Sequence, residues 1–582
     1  MKDYSFGNTI CRLRTAKHLS QKELGNMLCV SDKAVSRWEN GSSKPRTSLL
    51  PKLADALGVT LDRLLGGKSV LMNMPTVSAS GDYAFEKKSD KSAVDPVKVN
   101  FIPAKGSENG NYLCTWSMQH AVADSENICG NNIPERQRNA LNEETLFSEK
   151  LYHPYEREYR EGLFFLLDDG WDVPYGTDAT VSMARFGLCE PDAEKFARLG
   201  NTSEQRLSEI VRRIKSMGYA GVGLWISPQR CGLPDFAGVE GDRAYWEEKA
   251  ELSHSAGIRY WKVDWGRNSK TVGYREMMTE CVRKYAPGLL IEHAREIGPF
   301  SSDFIDRTKT IASEMCERIE YADFLRTYDV KEPFADIETF NRVNTLLKGA
   351  DLSRIRHGAK GFINVESQPL VAAGLGFNVG IMQNSYEMKA LLRWQRICPP
   401  FSVLNGEYIT SAETVTDRLR FDRDPSWWTK RQWTEFSLTL PRSAARNARL
   451  PKVEADGEKP VVLVCAHPEN DALAVATLRR NIDPNSRLIA SADITVYPQS
   501  LKTTVGVFGY YRSLTLEFPE KLPKGSSVWA QCLLSSTAVN ITEKVDLHSN
   551  SVTIDGLLLR RLGHIPDDSS AAHEPVLIIK IC

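Results

Sequence analysis

Tyr260-Trp261-Lys262-Val263-Asp264-Trp265 is a short apolar run, interrupted by one lysine and ending in an aspartate between two tryptophans. A second run, Phe324-Leu325-Arg326-Thr327-Tyr328-Asp329-Val330, has the same form. Further runs flank the pair, separated by helix-like stretches. A parallel β/α barrel presents its working groups in this way, with acids at the carboxyl ends of different strands. Two opposed carboxylates are also what glycoside cleavage needs.

Working outward, the runs lie at 112–116, 163–169, 220–227, 258–264, 289–292, 323–329, 361–366 and 401–404. Between them Leu207, Ile210, Val211 and Ile214 recur at helical spacing, with Thr202 or Ser203 placed to cap that helix. Eight such runs over roughly 300 residues suit an eight-stranded α/β TIM barrel with insertions. The chain therefore reads as multidomain. Residues 1–67 are an all-α domain, 68–95 a flexible linker of Gly, Ser, Lys, Asp and Pro, and 96–450 the barrel. Residues 451–582 are an all-β sandwich, expected to be antiparallel, with short strands at 461–464, 473–478, 493–497, 513–517, 528–532 and 551–554.

If the barrel holds, the strand ends define one mouth. Trp116 follows the first strand, Asp168, Asp169 and Trp171 the second, and Trp225 and Gln229 the third. Lys262, Asp264 and Trp265 close the fourth, Glu292 and His293 the fifth, Arg326 and Asp329 the sixth, and Glu366 the seventh. Carboxylates accept hydrogen bonds from hydroxyls, and indole faces cover the apolar side of a sugar ring. An aspartate after a strand also caps helices, so Asp168 and Asp169 have a second reading. Glu292 and His293 read equally well as a satisfied polar pair, and Trp225 as barrel filling. No metal-ligand spacing appears, and no cofactor is expected.

Leu167-Asp168-Asp169-Gly170-Trp171, Gly223-Leu224-Trp225-Ile226-Ser227-Pro228 and Trp261-Lys262-Val263-Asp264 resemble the α-galactosidase clan of retaining glycoside hydrolases, families 27 and 36. The resemblance spans residues 111–405. It implies Asp264 as nucleophile and Asp329 as acid/base. It also implies a sugar site of Trp116, Asp168, Asp169 and Lys262, to which the strand ends add Trp171, Trp225, Glu292 and Arg326. The surroundings of Asp329 and the run Ile291-Glu292-His293-Ala294-Arg295-Glu296 depart from both families, which leaves the sugar open among galactose, arabinopyranose, N-acetylgalactosamine and glucose.

At the other end, Ser20-Gln21-Lys22-Glu23 is a capping box, and Ser31 is placed to cap a helix from Asp32 that Gly41 stops. Five short helices are expected over 5–66. Ser20-Gln21-Lys22-Glu23-Leu24 and Val30-Ser31-Asp32-Lys33-Ala34-Val35-Ser36-Arg37-Trp38-Glu39-Asn40-Gly41 resemble the Xre/Cro/C1-type helix-turn-helix family, as does Leu53-Ala54-Asp55-Ala56-Leu57-Gly58-Val59. That resemblance implies DNA as partner, with Gln21 on phosphate, Asp32, Lys33 and Arg37 on base edges and Ser36 on the backbone. It also implies a homodimer. Trp38 reads as core.

The chain carries 74 basic and 74 acidic residues, so polyelectrolyte character is excluded for the whole. The first 67 residues alone carry about five more basic than acidic side chains, which suits a polyanion. No run is long enough for a membrane span or a signal peptide. Twelve scattered cysteines without a Cys-x-x-Cys pair suit free thiols in the cytoplasm. Two functions remain open, a working glycosidase joined to a DNA reader and a sugar sensor that controls transcription without turnover.

Overall fold

The computed structural model describes residues 10–11, 13–14, 19–28, 30–39, 43–45, 49–57, 99–179, 182–232, 238–271, 273–294, 314–327, 335–382, 384–422, 433–483, 486–564 and 573–582. Asp329 and the 68–95 linker lie outside them. The chain forms two units, residues 1–96 with 566–573, and 97–565 with 574–582.

In the first unit, helices α1 (Gln21–Met27), α2 (Asp32–Glu39) and α3 (Leu50–Leu57) are described. Ser20 and Glu23 form the reciprocal cap expected from the sequence. The Ser31 hydroxyl accepts from the Ala34 N–H at 3.2 Å and starts α2. Ile10, Leu13, Leu24, Leu28, Val35, Trp38, Leu53, Ala54 and Leu57 close over one small core. The remaining helices expected over 5–66 fall partly outside the described residues.

The second unit contains the barrel. Its strands are β1 (Tyr112–Cys114), β2 (Phe164–Leu167), β3 (Gly221–Ile226), β4 (Tyr260–Val263), β5 (Leu290–Ala294), β6 (Phe324–Arg326), β7 (Phe362–Asn364) and β8 (Gly380–Ile381). They pair in parallel in the order β7-β6-β5-β4-β3-β2-β1-β8. A parallel bridge from Asn364 to Asn378 joins the two ends. Helix α4 (Ser203–Ser216) opens on a reciprocal cap between Thr202 and Gln205. Leu207, Ile210 and Ile214 face the core as their spacing required.

The eighth strand is a correction. Residues 401–404 were expected there, but they are coil, and β8 lies at 380–381. The reason is steric. Gly380 lets the Tyr112 ring lie against the strand; a Cβ there would fall 2.5 Å from the phenol oxygen. A two-residue strand containing glycine has no β signature of its own.

After the barrel come an eight-stranded and a five-stranded sheet. Val462, Val464, Leu473, Val475, Val505 and Val507 of the larger sheet pack on Ile494, Val496, Leu514, Leu516, Val552 and Ile554 of the smaller. This is the expected sandwich, though not purely antiparallel: 443–446 pairs in parallel with 461–466, 472–478 with 504–508, and 493–496 with 513–517. Strands Tyr408–Thr410 and Ser443–Arg446 already belong to the larger sheet, so it draws on chain before residue 451.

The outer face of the larger sheet is also covered. Val461–Ala466 and Ala472–Leu478 are buried at every position, which is why they read as unbroken apolar runs. Helix α5 (Tyr274–Tyr285) belongs to the barrel ring, and α6 (Pro369–Leu375) lies against this sheet. Gly374 sets that distance, because a Cβ on it would stand 2.6 Å from Leu463 Cβ and 3.0 Å from Ala476 Cβ. Both neighbours are fixed close to backbone and cannot swing away. Gly374→Val is expected to cost about 1–3 kcal/mol through overpacking, read from the urea midpoint of the purified chain. Arg446 adds a polar tie. Its buried guanidinium donates to the Leu375 and Ser402 carbonyls beside the rings of Phe377 and Phe401. Burial lowers its pKa to about 10, so it stays charged at neutral pH.

Among the described residues, no helix is long and apolar enough to cross a membrane.

Candidate active site and helix-turn-helix surface

Side chains alternate across a strand, so positions two apart share a face. On β2 and beyond, Phe164, Leu166 and Asp168 share the interior face; on β4, Tyr260, Lys262 and Asp264 share it. The same parity gathers Leu290 and Glu292, Phe324 and Arg326, and Asn364 with Glu366. At the floor, Tyr112, Phe164, Tyr260 and Phe324 form an aromatic layer, with ring centroids 5.3 to 5.7 Å apart. Charged groups stand on that layer, where little water can screen them.

Asp264 is the centre of this cluster. Its Oδ2 accepts from Arg326 Nη2 at 2.7 Å and from Trp225 Nε1 at 3.2 Å, with Lys262 Nζ at 3.7 Å. Among the described residues, Oδ1 accepts no hydrogen bond. Burial pushes the carboxyl up, but Arg326 and then Lys262 outweigh it, and its pKa lies below the ordinary value. Arg275 donates to the Asp264 carbonyl and fixes the backbone.

Lys262 also meets Asp168 at 2.6 Å. Burial lowers the ammonium's pKa and Arg326 lowers it further; Asp168, Cys114 and Asp264 reverse this and raise it above the usual value. The Cys114 thiol donates to Asp168 at 3.0 Å. Trp116 stands in the same interior cluster, 7% exposed. Trp265, half-buried, packs on Trp225 and Phe186 and continues the aromatic wall.

Several expected sugar contacts have structural partners instead. Asp169, on the opposite parity to Asp168, gives both oxygens to Arg138 at 2.8 to 3.0 Å. Trp171 is fully buried and its indole N–H donates to the Trp225 carbonyl, so it backs the wall. Glu292 is fully enclosed. Its oxygens accept from Tyr112 (3.0 Å), Tyr260 (2.8 Å) and Asn364 (2.7 Å), with Arg326 Nε at 3.4 Å. Both of its oxygens are engaged by neighbouring side chains in this structure. His293, on the other face, hydrogen-bonds Thr279 of α5 at 2.8 Å. Gln229 bonds the carbonyls of Met183 and Phe186 and the Arg267 N–H, which makes it a loop brace.

Glu366 is the residue the sequence reading named without assigning a role. It follows β7 with φ of 51°, a left-handed backbone that few side chains adopt. Its Oε2 accepts from Arg326 Nη1 at 3.1 Å. Its parity with Asn364 was the available signal. Asp329 lies outside the described residues.

In the first unit, Val35 and Trp38 turn inward on α2 while Asp32, Lys33 and Arg37 are exposed and Ser36 is half-exposed. Glu39 is held by Arg14 at 2.6 and 3.0 Å and by the Gln21 amide at 2.7 Å. This ties the end of α2 to the start of α1. Gln21, expected on phosphate, thus has an internal partner in this structure.

A family model described as helix-turn-helix matches residues 12–64. The chain is 30% identical over 115 residues to the HTH-type transcriptional activator BcrR of Enterococcus faecalis, covering 19% of this chain and 53% of that protein. It spans about half the length of the curated relatives it matches. Among solved structures it is similar to the P22 c2 repressor in complex with a synthetic operator. That match has 35% identity, 11% of this chain and 94% of the repressor covered, and a TM-score of 0.11. A family 27 β-L-arabinopyranosidase from Geobacillus stearothermophilus, in complex with arabinose, aligns over 82% of this chain and 98% of its own. Its identity is 11% and its TM-score 0.36. The barrel is established by its own strand order and not by that likeness.

Proposed function

We propose that this chain, whose residues 12–64 are a helix-turn-helix domain of the Xre/Cro/C1 type, couples a DNA reader to a retaining glycoside hydrolase. The barrel acts on α-galactosides or related α-glycosides. The observation that carries this is the unequal treatment of the two Asp264 oxygens. Arg326, Trp225 and Lys262 hold Oδ2, while Oδ1 accepts no hydrogen bond from described residues. A carboxylate held ionised by one oxygen and open at the other is arranged as a nucleophile.

In this mechanism Asp264 Oδ1 attacks the anomeric carbon as Asp329, protonated, gives its proton to the departing oxygen. Water, deprotonated by Asp329, then releases the sugar from Asp264. Double displacement requires the two carboxyl groups about 5–5.5 Å apart. Asp168 and Lys262 hold sugar hydroxyls, Arg326 keeps the nucleophile in place, and Trp116 and Trp225 cover the ring.

Aryl α-glycosides of galactose, glucose, arabinopyranose and N-acetylgalactosamine test the reading. Hydrolysis of at least one is expected, with retention of anomeric configuration seen by NMR. Binding without turnover on all four would leave the sensor reading in its place. That second reading has support from α2, whose Asp32, Lys33 and Arg37 are exposed over a buried Val35 and Trp38.

The helix-turn-helix domain is proposed to bind DNA as a homodimer. Lys33→Ala combined with Arg37→Ala is expected to abolish the gel shift on a selected operator at moderate salt. It should weaken binding to the operator far more than binding to unrelated DNA, because base-edge contacts carry the specificity. An unchanged shift would remove this surface from consideration.

A further inference from the structure

One guanidinium serves three carboxyl groups at the top of the barrel interior. Arg326 donates from Nη2 to Asp264 at 2.7 Å and from Nη1 to Glu366 at 3.1 Å, with Glu292 Oε1 3.4 Å from Nε. We propose that Glu366 is a positioning residue for the nucleophile, acting through Arg326: its neutral carboxyl accepts from Nη1 and steadies the fork without drawing charge from Asp264. The kinetic side of this rests on the glycosidase reading; the protonation side does not.

The charge count leads to a retained proton. Among the described residues, Asp168, Asp264, Glu292 and Glu366 face Lys262 and Arg326, all six buried, and Arg275 acts on Asp264 from its backbone side. An excess of negative charge in a low-dielectric interior is costly, and taking up a proton is the cheaper outcome. The partners identify which carboxyl keeps it. Asp168 has Lys262 at 2.6 Å. Asp264 has Arg326, Lys262 and the Trp225 indole. Glu292 has two phenols, an amide and Arg326. Among the described residues the Glu366 carboxyl accepts one hydrogen bond, the longer of the two Nη contacts of Arg326. Burial pushes its carboxyl up to about 7; Arg326 and Lys262 oppose the rise, and Glu292 and Asp264 add to it. Tyr112 on β1 feels the Glu366 charge in turn.

The backbone shows the same purpose. The left-handed Glu366 is held by its own N–H, which donates to Asn364 Oδ1 at 2.8 Å. The Asn364 amide in turn donates to Glu292 at 2.7 Å. Strain held by specific bonds is a feature of functional positions. Here it brings the carboxyl onto Nη1 of the fork whose Nη2 holds Asp264.

The sign follows. Below pH 7 Glu366 is neutral and the guanidinium's charge belongs mainly to Asp264. As pH rises through about 7, Glu366 ionises and competes for Arg326, so the nucleophile loosens.

The experiment uses the full chain as wild type, Glu366→Gln and Glu366→Ala. On the best aryl α-glycoside at pH 5.5, the Gln variant is expected within about 3-fold of wild type in kcat. The Ala variant should fall by about 30-fold or more, mainly in kcat, since a shift of the order of 1 Å in a reacting group can cost 100-fold. Wild-type kcat/KM should decline as pH passes about 7, and the Gln variant should lose that limb and decline only where Asp329 gives up its proton. A Gln variant as damaged as Ala, an unaffected Ala variant, or a retained limb would each overturn the proposal.

A second readout needs no turnover. A carboxyl raised in the folded state contributes stability that is complete below its unfolded pKa and is lost as pH rises through its folded pKa. The melting temperature of wild type should therefore fall relative to Glu366→Gln between about pH 5 and 8. A constant difference across that range also overturns the proposal. Inactivity of all three proteins together with the expected melting trend would instead count against the glycosidase reading alone.

Discussion

Asp264→Asn is expected to lower kcat/KM on an aryl α-glycoside by on the order of 10⁴-fold or more, the scale seen when a covalent nucleophile is removed. The substitution is nearly isosteric, and the Asn carbonyl can still accept from Arg326 and the Trp225 indole. The fold should therefore survive, and an unchanged near-ultraviolet circular dichroism spectrum would establish that the loss is chemical. The removed charge shifts the balance in the interior. Lys262 would keep Asp168 as its partner and Arg326 would keep Glu292 and Glu366. The acid limb of wild type follows from the same group. Asp264 lies below the ordinary carboxylate range, since Arg326 and Lys262 outweigh its burial. Activity should hold as pH falls to the usual carboxylate pKa and decline only below it. Full activity of the Asn variant would end the double-displacement reading.

Arg138→Ala is expected to destabilise the barrel by about 3–5 kcal/mol, because it leaves a buried carboxylate without its partner. Asp169 and Arg138 are 2% and 1% exposed at the side chain, and three hydrogen bonds join them. Their Coulomb attraction mostly offsets the cost of burying them. The loss on breaking the pair therefore exceeds what the pair adds to stability. Burial already raises the Asp169 carboxyl against the pull of Arg138, and without Arg138 it would take up a proton. Urea unfolding followed by tryptophan fluorescence reads the effect. The folded fraction should keep its KM, whereas a large change in KM at unchanged stability would return Asp169 to the sugar site. An Arg138→Met, Asp169→Leu double variant should recover much of the loss, since removing both charges leaves no orphan.

The first seven barrel strands were legible because strands buried on both faces must be apolar throughout, and each ended at a carboxylate or an indole. The eighth was not, since Gly380 is there to admit a tyrosine ring from β1. The α1 and α2 caps were equally legible: Ser20, Glu23 and Ser31 act on neighbours three residues away. Asp168 and Asp169 could have been separated by counting parity from Phe164, which turns one inward and the other away. Glu366 could have been placed by the same count from Asn364.

Local chemistry in the chain determined the helix-turn-helix domain, the run of barrel strands, and Asp264 at the end of the fourth. These depend on periodicity, caps and apolar runs, all of which act within a few residues. Tertiary structure alone decided what each carboxyl does. Arg138, Lys262 and Arg326 come from different elements, and a carboxylate's role depends on which cation reaches it and how little water remains to screen the pair. That is why Asp169 and Glu292 have their oxygens engaged by side chains, whereas Asp264 Oδ1 accepts no hydrogen bond among the described residues.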